Sequence, residues 1–269
     1  MSNVWSAPHE QSVTEQVELA RFLQERSARP DQQAVNQALR HVMDVRPGER
    51  WLEIGCGPGI LCQLIAEDVG PAGRVVGVDL SAEAARMARE ANRQRDEAVN
   101  FVAAAGERLP LCDALFDGVL IARTLLHASD PDGVVREAMR VLRRGGRAVL
   151  MDWDFDTVVV DHTARDLTRK IIHWRTDHRG GNNWSGRQLY RRLVDAGARD
   201  ISVTGYVSVV TEEHTSLYAS LLRAAEGARD AGVISDAECA RWIAEIEERV
   251  RESRFMASIA YFIASGQRP

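Results

Sequence analysis

Apolar positions recur along the chain with two periods, and the changes between them divide it into elements. Val13, Val17, Ala20 and Leu23 stand three or four residues apart, the spacing of one helix face, so residues 12–27 are predicted to be helical. Pro30, suited to the first turn of a helix, opens a second one carrying Val35, Ala38, Leu39 and Val42. From the Pro47-Gly48 turn onward, short apolar runs alternate with helical stretches. The strands are expected at 50–54, 75–78, 99–103, 118–122 and 147–152. The helices are expected at 60–69, at 81–96 behind an N-cap at Ser81, and from Asp130-Pro131 to Arg143-Arg144-Gly145-Gly146. Strand, helix, strand in repetition predicts a parallel sheet with helices on both faces.

Beyond residue 155 the pattern loosens. A helix over 161–178, a glycine-asparagine loop over 179–184 and a helix over 186–196 capped by Ser185 are expected. Residues 201–209 and 255–264 alternate in the manner of a closing antiparallel pair. Residues 212–253 between them are too long for a hairpin and read as two helices, the second opened by the capping box Ser235-Asp236-Ala237-Glu238. They are expected to form a substrate lid or a dimerisation element.

Ligand chemistry concentrates in Trp51-Leu-Glu-Ile-Gly-Cys-Gly-Pro-Gly59, followed by Asp79 at the end of the next strand. An apolar strand running into alternate glycines and then a helix lets a ligand lie against bare backbone. The acid ending the second strand is placed to accept from two ribose hydroxyls, because the carboxyl ends of neighbouring parallel strands open into one crevice. A dinucleotide fingerprint requires a third glycine where Ile60 stands, so the fit to a pyrophosphate is poor.

The Glu53-Ile-Gly-Cys-Gly-Pro-Gly run with Asp79 resembles the first two motifs of the class I S-adenosylmethionine-dependent methyltransferases, most closely the ubiquinone and menaquinone methyltransferase-like group that includes natural-product enzymes. Ala105 to Asp117 and Leu142 to Leu150 resemble later stretches of the same family, so the likeness spans roughly residues 45 to 155. It implies a Rossmann-like α/β fold with a seven-stranded, mostly parallel sheet, the last strand antiparallel, helices on both faces and a helical cap. It also implies S-adenosylmethionine as cofactor, S-adenosylhomocysteine as product, and a small-molecule methyl acceptor. The cofactor residues implied are Glu53 for the ammonium group, Gly55, Gly57 and Gly59 for the loop, Asp79 and Leu80, Gly106 and Glu107 around the adenine, and Arg123 through its backbone. Where the family commonly has an aspartate reaching the adenine amino group this chain has Ala105, which leaves backbone groups and apolar packing to hold the base. The chain then divides into N-terminal helices over the cofactor cleft (1–44), the cofactor-binding core (45–155), substrate-side helices with a sixth strand (156–211), the helical lid insertion (212–253) and the closing strand (254–269).

Transfer of a methyl group from a sulfonium is an in-line displacement governed by positioning in a dry pocket, with a base helpful for some nucleophiles only. His127, just after the fourth strand, is the candidate for proton transfer, balanced by a reading in which it shapes its own turn. Asp152-Trp153-Asp154-Phe155-Asp156 alternates acids with aromatics, so Asp154 or Asp152 is a candidate base or orienting group while Trp153 and Phe155 wall a flat substrate. A solvated strand end is the alternative. His178 is a further catalytic candidate placed with Trp184 at the pocket, and Trp5 and Phe22 are candidates for lining the cleft from the N-terminal helices. His173 and Asp177, one helical turn apart, read equally as a surface pair.

Composition narrows the partners. A formal net charge of −5 without a basic block argues against nucleic acid. No segment approaches the apolar length that spans a bilayer, and the first residues carry neither a charged leader nor an apolar core, so no stable membrane insertion and a cytoplasmic location are expected. Cys56, Cys62, Cys112 and Cys239 lack paired spacing and the histidines lack ligand spacing, so no metal is expected. A homodimer stays open. So do quinone-ring C-methylation and cofactor binding without methyl transfer.

Overall fold

The computed structural model describes residues 11–93, 99–178 and 180–269. In chain order the elements are α1 (Val13–Ser27), α2 (Pro30–Met43), β1 (Arg50–Ile54), α3 (Ile60–Val69), β2 (Arg74–Asp79), α4 (Ala82–Ala91), β3 (Val99–Ala103), β4 (Phe116–Ala122), α5 (Pro131–Val141) and β5 (Leu142–Val160). Then come α6 (Arg165–His178), α7 (Ser185–Asp195), β6 (Arg199–Val210), α8 (Ser216–Asp230), α9 (Asp236–Arg251) and β7 (Ala257–Gln267).

The seven strands form one sheet in the order β3-β2-β1-β4-β5-β7-β6. The first five are parallel, and β7 runs antiparallel to both β5 and β6. This is the expected Rossmann-like α/β sheet. Strand β4 shows why it is covered twice: Leu120 and Ala122 belong to the apolar layer beneath α2, α3 and α4, while Val119 and Ile121 belong to the layer beneath α5 and α7.

Local capping sets the helix starts. Asp130 accepts from the Gly133 N–H at 2.8 Å, Ser81 from Ala84 at 3.1 Å, and Ser235 with Glu238 forms the expected capping box. Ser12 and Glu15 form a second box at the start of α1 that the apolar pattern alone did not single out. Ser185 does not cap α7. Its hydroxyl is fully buried and donates instead to Asp152 Oδ2 at 2.7 Å.

Strand β5 is far longer than expected, because the extended chain starts at Leu142 and continues to Val160. Met151, Trp153, Phe155 and Val158 are buried in the layer shared with α6 and α8, and Val159 and Val160 pair with Ser258 and Ala257 of β7. The following helix therefore begins later, at Arg165, where His162 Nδ1 accepts from the Ala164 N–H at 3.0 Å. The expected end of α4 near residue 96 lies partly outside the described residues, and the described helix closes at Ala91.

Helix α8 packs on α6 and β7, and α9 packs on α6 and α8. Trp242 of α9 is fully buried, donates its indole N–H to Thr168 Oγ1 at 2.9 Å and stacks on His162 with ring centroids 5.3 Å apart. No helix of the described residues is long and apolar enough to cross a membrane.

Trp242→Ala removes the largest side chain holding α9 to α6. It is expected to cost about 3–5 kcal/mol, read as a lower urea midpoint, and an unchanged midpoint would show that α9 is not part of the cooperative fold.

Candidate active site

The carboxyl ends of β1, β2 and β4, with Trp153 from the middle of β5, open into a cavity of about 430 Å³, roofed by α1. Such a volume suits a medium-sized organic ligand. Its floor is the loop after β1. Gly55, Gly57 and Gly59 all adopt positive φ, at 77°, 49° and 79°, which explains three glycines in five residues. Protein atoms crowd two of them. A Cβ on Gly55 would meet the Thr124 side chain, and one on Gly59 would lie 2.7 Å from the Phe101 ring. Gly59 does not line the cavity and serves as the N-cap of α3, so its role is to turn the chain rather than to approach a ligand.

Two carboxylates face this loop, Glu53 buried and Asp79 half-buried. Asp79 Oδ2 accepts from the Gly57 N–H at 2.7 Å and Oδ1 from the Ser81 N–H at 2.8 Å, so the acid first fixes the two βα turns to each other. Each oxygen keeps one lone pair for a ligand hydroxyl. Burial pushes this carboxyl above its usual range, opposed by the same two backbone bonds. Glu53 accepts from the Cys62 thiol at 3.0 Å, and burial pushes it up to about 7 against that bond and the Arg123 charge.

Leu80, Gly106, Glu107 and Arg123 line the same cavity, as do Ala104 and Ala105. Ala105 offers no side-chain acceptor, and its carbonyl is taken by the Arg108 N–H at 3.2 Å. Arg123 presents its side chain and not only its backbone. A φ of 57° at the strand end turns it into the cavity, where it donates to Asn36 Oδ1 at 3.1 Å.

His127 and Trp153 also line the cavity, and the His127 N–H donates to the Thr124 carbonyl at 2.9 Å. Other candidates lie elsewhere. Asp154 is fully buried but bound by Arg187 through both carboxylate oxygens, which removes it from proton transfer at this cavity. His178 is exposed on α6, with Nδ1 2.9 Å from the Trp174 carbonyl and its ring stacked on Trp174. Trp184 is 46% exposed, beneath the Arg187 guanidinium. Phe22 is 43% exposed on the outer side of α1, because Leu19, Leu23 and Arg26 take the inner phase. Phe155 is buried one step behind the cavity wall, against Trp153 and the Arg175 guanidinium. His173 and Asp177 are both exposed. Trp5 lies outside the described residues. No residue of α8 or α9 lines the cavity, so the 212–253 insertion is placed behind its wall rather than over its mouth.

Asp152 matters more than the strand-end pattern suggested. Fully buried, it accepts from the Leu126 N–H at 3.1 Å and from Ser185, tying the turn that carries Arg123 and His127 to α7. Burial pushes it up to about 7, opposed by those bonds. Gln16, Arg26 and Ser27 on the cavity side of α1 were missed as well. Their signal was polar residues falling in phase with the apolar stripe.

The strand order, the reversed β7 and a glycine loop between two acids are those of the class I methyltransferase fold. Residues 52–150 match the family described as "Methyltransferase domain". Over 228 residues the chain is 32% identical to an uncharacterized 37.1 kDa protein in transposon TN4556 of Streptomyces fradiae, covering 84% of this chain and 64% of that one. Over 127 residues it is 36% identical to the ubiquinone/menaquinone biosynthesis C-methyltransferase UbiE of Hahella chejuensis, covering 46% of this chain and 50% of UbiE. The chain therefore spans less than two thirds of the length of either relative. In fold it is similar to geranyl diphosphate C-methyltransferase from Streptomyces coelicolor A3(2), solved with Mg2+, geranyl diphosphate and S-adenosyl-L-homocysteine, at a TM-score of 0.55 and 18% identity, covering 88% of this chain and 79% of that one.

Glu53 and Asp152 are both neutral in the folded protein below about pH 7, whereas unfolded acids ionise near pH 4. The folded state binds more protons in between, so stability should fall as pH rises from about 4 to 7 and level off above, on the order of 3 kcal/mol per group. Asp152→Asn should flatten that slope in urea titrations at pH 5 and pH 8. Equal slopes in the two proteins would exclude Asp152 as a source.

Proposed function

We propose that the protein transfers a methyl group from S-adenosylmethionine to oxygen, nitrogen or carbon of a small, flat, aromatic or heteroaromatic metabolite in secondary metabolism. The observation that carries this reading is the single cavity wall on which Glu53, the Gly55–Gly57 backbone and Asp79 converge, with Trp153 facing them from β5. The donor set fits the cofactor. Asp79 keeps lone pairs for ribose hydroxyls, Glu53 is a buried acid suited to an ammonium group, and Leu80, Ala104 and Ala105 supply apolar surface for a base.

Bound there, S-adenosylmethionine supplies a sulfonium methyl group open to in-line displacement. The chain's own residues supply position and dryness. Trp153, buried between Phe155 and Tyr261 with ring centroids 5.4 and 5.6 Å away, gives a rigid wall for a planar acceptor. His127 is the cavity-lining group suited to receive a proton from a hydroxyl or ammonium nucleophile. An acceptor attacking through carbon sheds its proton afterwards and needs no base in the first step. The likeness to UbiE supports quinone-ring C-methylation as the second reading.

Calorimetric titration with S-adenosylhomocysteine tests the assignment. Micromolar binding is expected for the wild type, weakened about tenfold or more by Glu53→Gln and by Asp79→Asn. An ammonium group beside Glu53 favours its ionised form, so binding at pH 6 should release a proton and binding at pH 8.5 should not. Titrations in buffers of different ionisation enthalpy read that difference. Absence of binding by the wild type would remove the cofactor reading. Assays with quinols against phenols and indoles then separate the two acceptor classes.

A further inference from the structure

The two edges of the sheet are finished differently. At one edge β3 is 5 residues long, and Arg89 donates to its Phe101 carbonyl through Nε at 3.1 Å and Nη2 at 2.8 Å. At the other edge β6 is 12 residues long, about 40 Å at the usual strand rise, and pairs with β7 on one side only. Among the described residues no side chain bonds the backbone of residues 201–210, so their outward N–H and carbonyl groups stand open.

Open edges are ordinarily blunted by lysine, proline or an inward charge, because they template pairing with another chain. Residues 201–211 contain no charged residue and no proline. Instead Val203, Val207 and Val209 are exposed, Val207 at 58%. They lie on the α7 face, since Val203 pairs with Ala264 of the layer beneath that helix and the register with β7 is unbroken from Ser202 to Val210. Ser202 and Thr204 on the opposite face are exposed as well, so neither α7 nor α2 overhangs the edge there. Residues 202–207 therefore leave room for a strand to add beside them. At Gly205 even a Cβ would meet nothing within 4 Å.

We propose that β6 is a dimerisation surface, pairing antiparallel with β6 of a second copy of the chain about a two-fold axis at Gly205. The strand complements itself in that arrangement. Centring at Gly205 sets Val203 against Val207 of the second copy and Val209 against its Ile201, all on the α7 face. The ends complement each other too. Arg199 of each copy comes to the Glu212–Glu213 end of the other, all of them exposed, with Asp200 in the bulge before Ser202 as the opposing charge. The sheet then runs through both copies without an open edge at β6. No residue of β6 or β7 lines the cavity, so each copy keeps its own site and the contact does not depend on the reaction proposed above. Strand pairing, rather than helices α8 and α9, carries the association.

Sedimentation equilibrium of the full chain tests this. The wild type is expected to be a dimer at micromolar concentration. Val207→Lys puts an edge-protecting residue at the centre of the contact and should weaken association about tenfold or more, with circular dichroism unchanged. The register has its own readout. Residues directly opposed across an antiparallel pair have Cα atoms about 5 Å apart, within disulfide range. Gly205→Cys, made in a Cys112→Ser background because Cys112 is the exposed native cysteine, should give a covalent dimer on mild oxidation. Cys112→Ser alone should not. A wild type that stays monomeric at high micromolar concentration overturns the proposal. So does a wild-type dimer that Val207→Lys leaves intact, which would put the contact on another surface. Absence of the cross-link overturns the axis at Gly205. Should Val207→Lys fail to fold, Val203→Lys makes the same measurement from the opposed position.

Discussion

The pairing of β5 with β7 supports everything on the acceptor side of the cavity. Parallel to β4 up to Met151, β5 continues past the parallel sheet while β7 runs beside it antiparallel from Arg147 to Val160. That shared length lifts Trp153 and Phe155 into position and gives α6 and α8 a surface to pack on, with α9 packed on those two helices. An antiparallel ladder needs no crossover connection, so the extension adds a second storey without another βαβ unit. The register changes between Asp154 and Val159, where Thr157 Oγ1 accepts from the Ala260 N–H at 3.0 Å and the ladder is bridged by a side chain.

A concentration of ionisable groups below this extension sets the character of the site. Glu53 and Asp79 stand at the ends of β1 and β2, Asp152 stands midway along β5 where its parallel pairing with β4 has ended, and Arg123 lies among them. Burying so many polar groups is costly unless each is bonded. Asp79 offsets the cost by accepting two backbone donors, Asp152 by accepting from Leu126 and Ser185, Glu53 by accepting the Cys62 thiol. The site is thereby prearranged by the turns it organises, and a ligand meets fixed acceptors rather than floppy ones.

The parts legible in the sequence are those governed by local period and turn chemistry. The alternation of apolar runs gave the strand order its first five members, and Ser81, Asp130 and Ser235 announced the helices they cap. Glu53, Asp79 and the loop glycines stood out because their spacing is set by one strand-turn-helix unit. What sequence could not supply depends on pairing across long separations. Asp154 read as a catalytic acid because Arg187, 33 positions away, gives no local sign of binding it. His178 and Trp184 were drawn to the pocket by residue type, whereas the phase of α6 and the start of α7 turn them outward. Ser185 looked like a cap because its role lies with Asp152, again 33 residues distant. Arg26 hid in the polar population of an amphipathic helix.

The roof of the cavity differs in kind from its floor. Helix α1 fully buries Ala20 alone, and it is fastened by polar contacts such as Ser81 Oγ to Gln16 Oε1 at 2.8 Å and Arg26 to Gln32. Detaching it exposes little apolar surface, so it opens at a far smaller free-energy cost than any strand of the sheet. The two sides of the cavity are thus held differently, a helix fastened by polar side-chain contacts above and strand ends tied by backbone hydrogen bonds beneath.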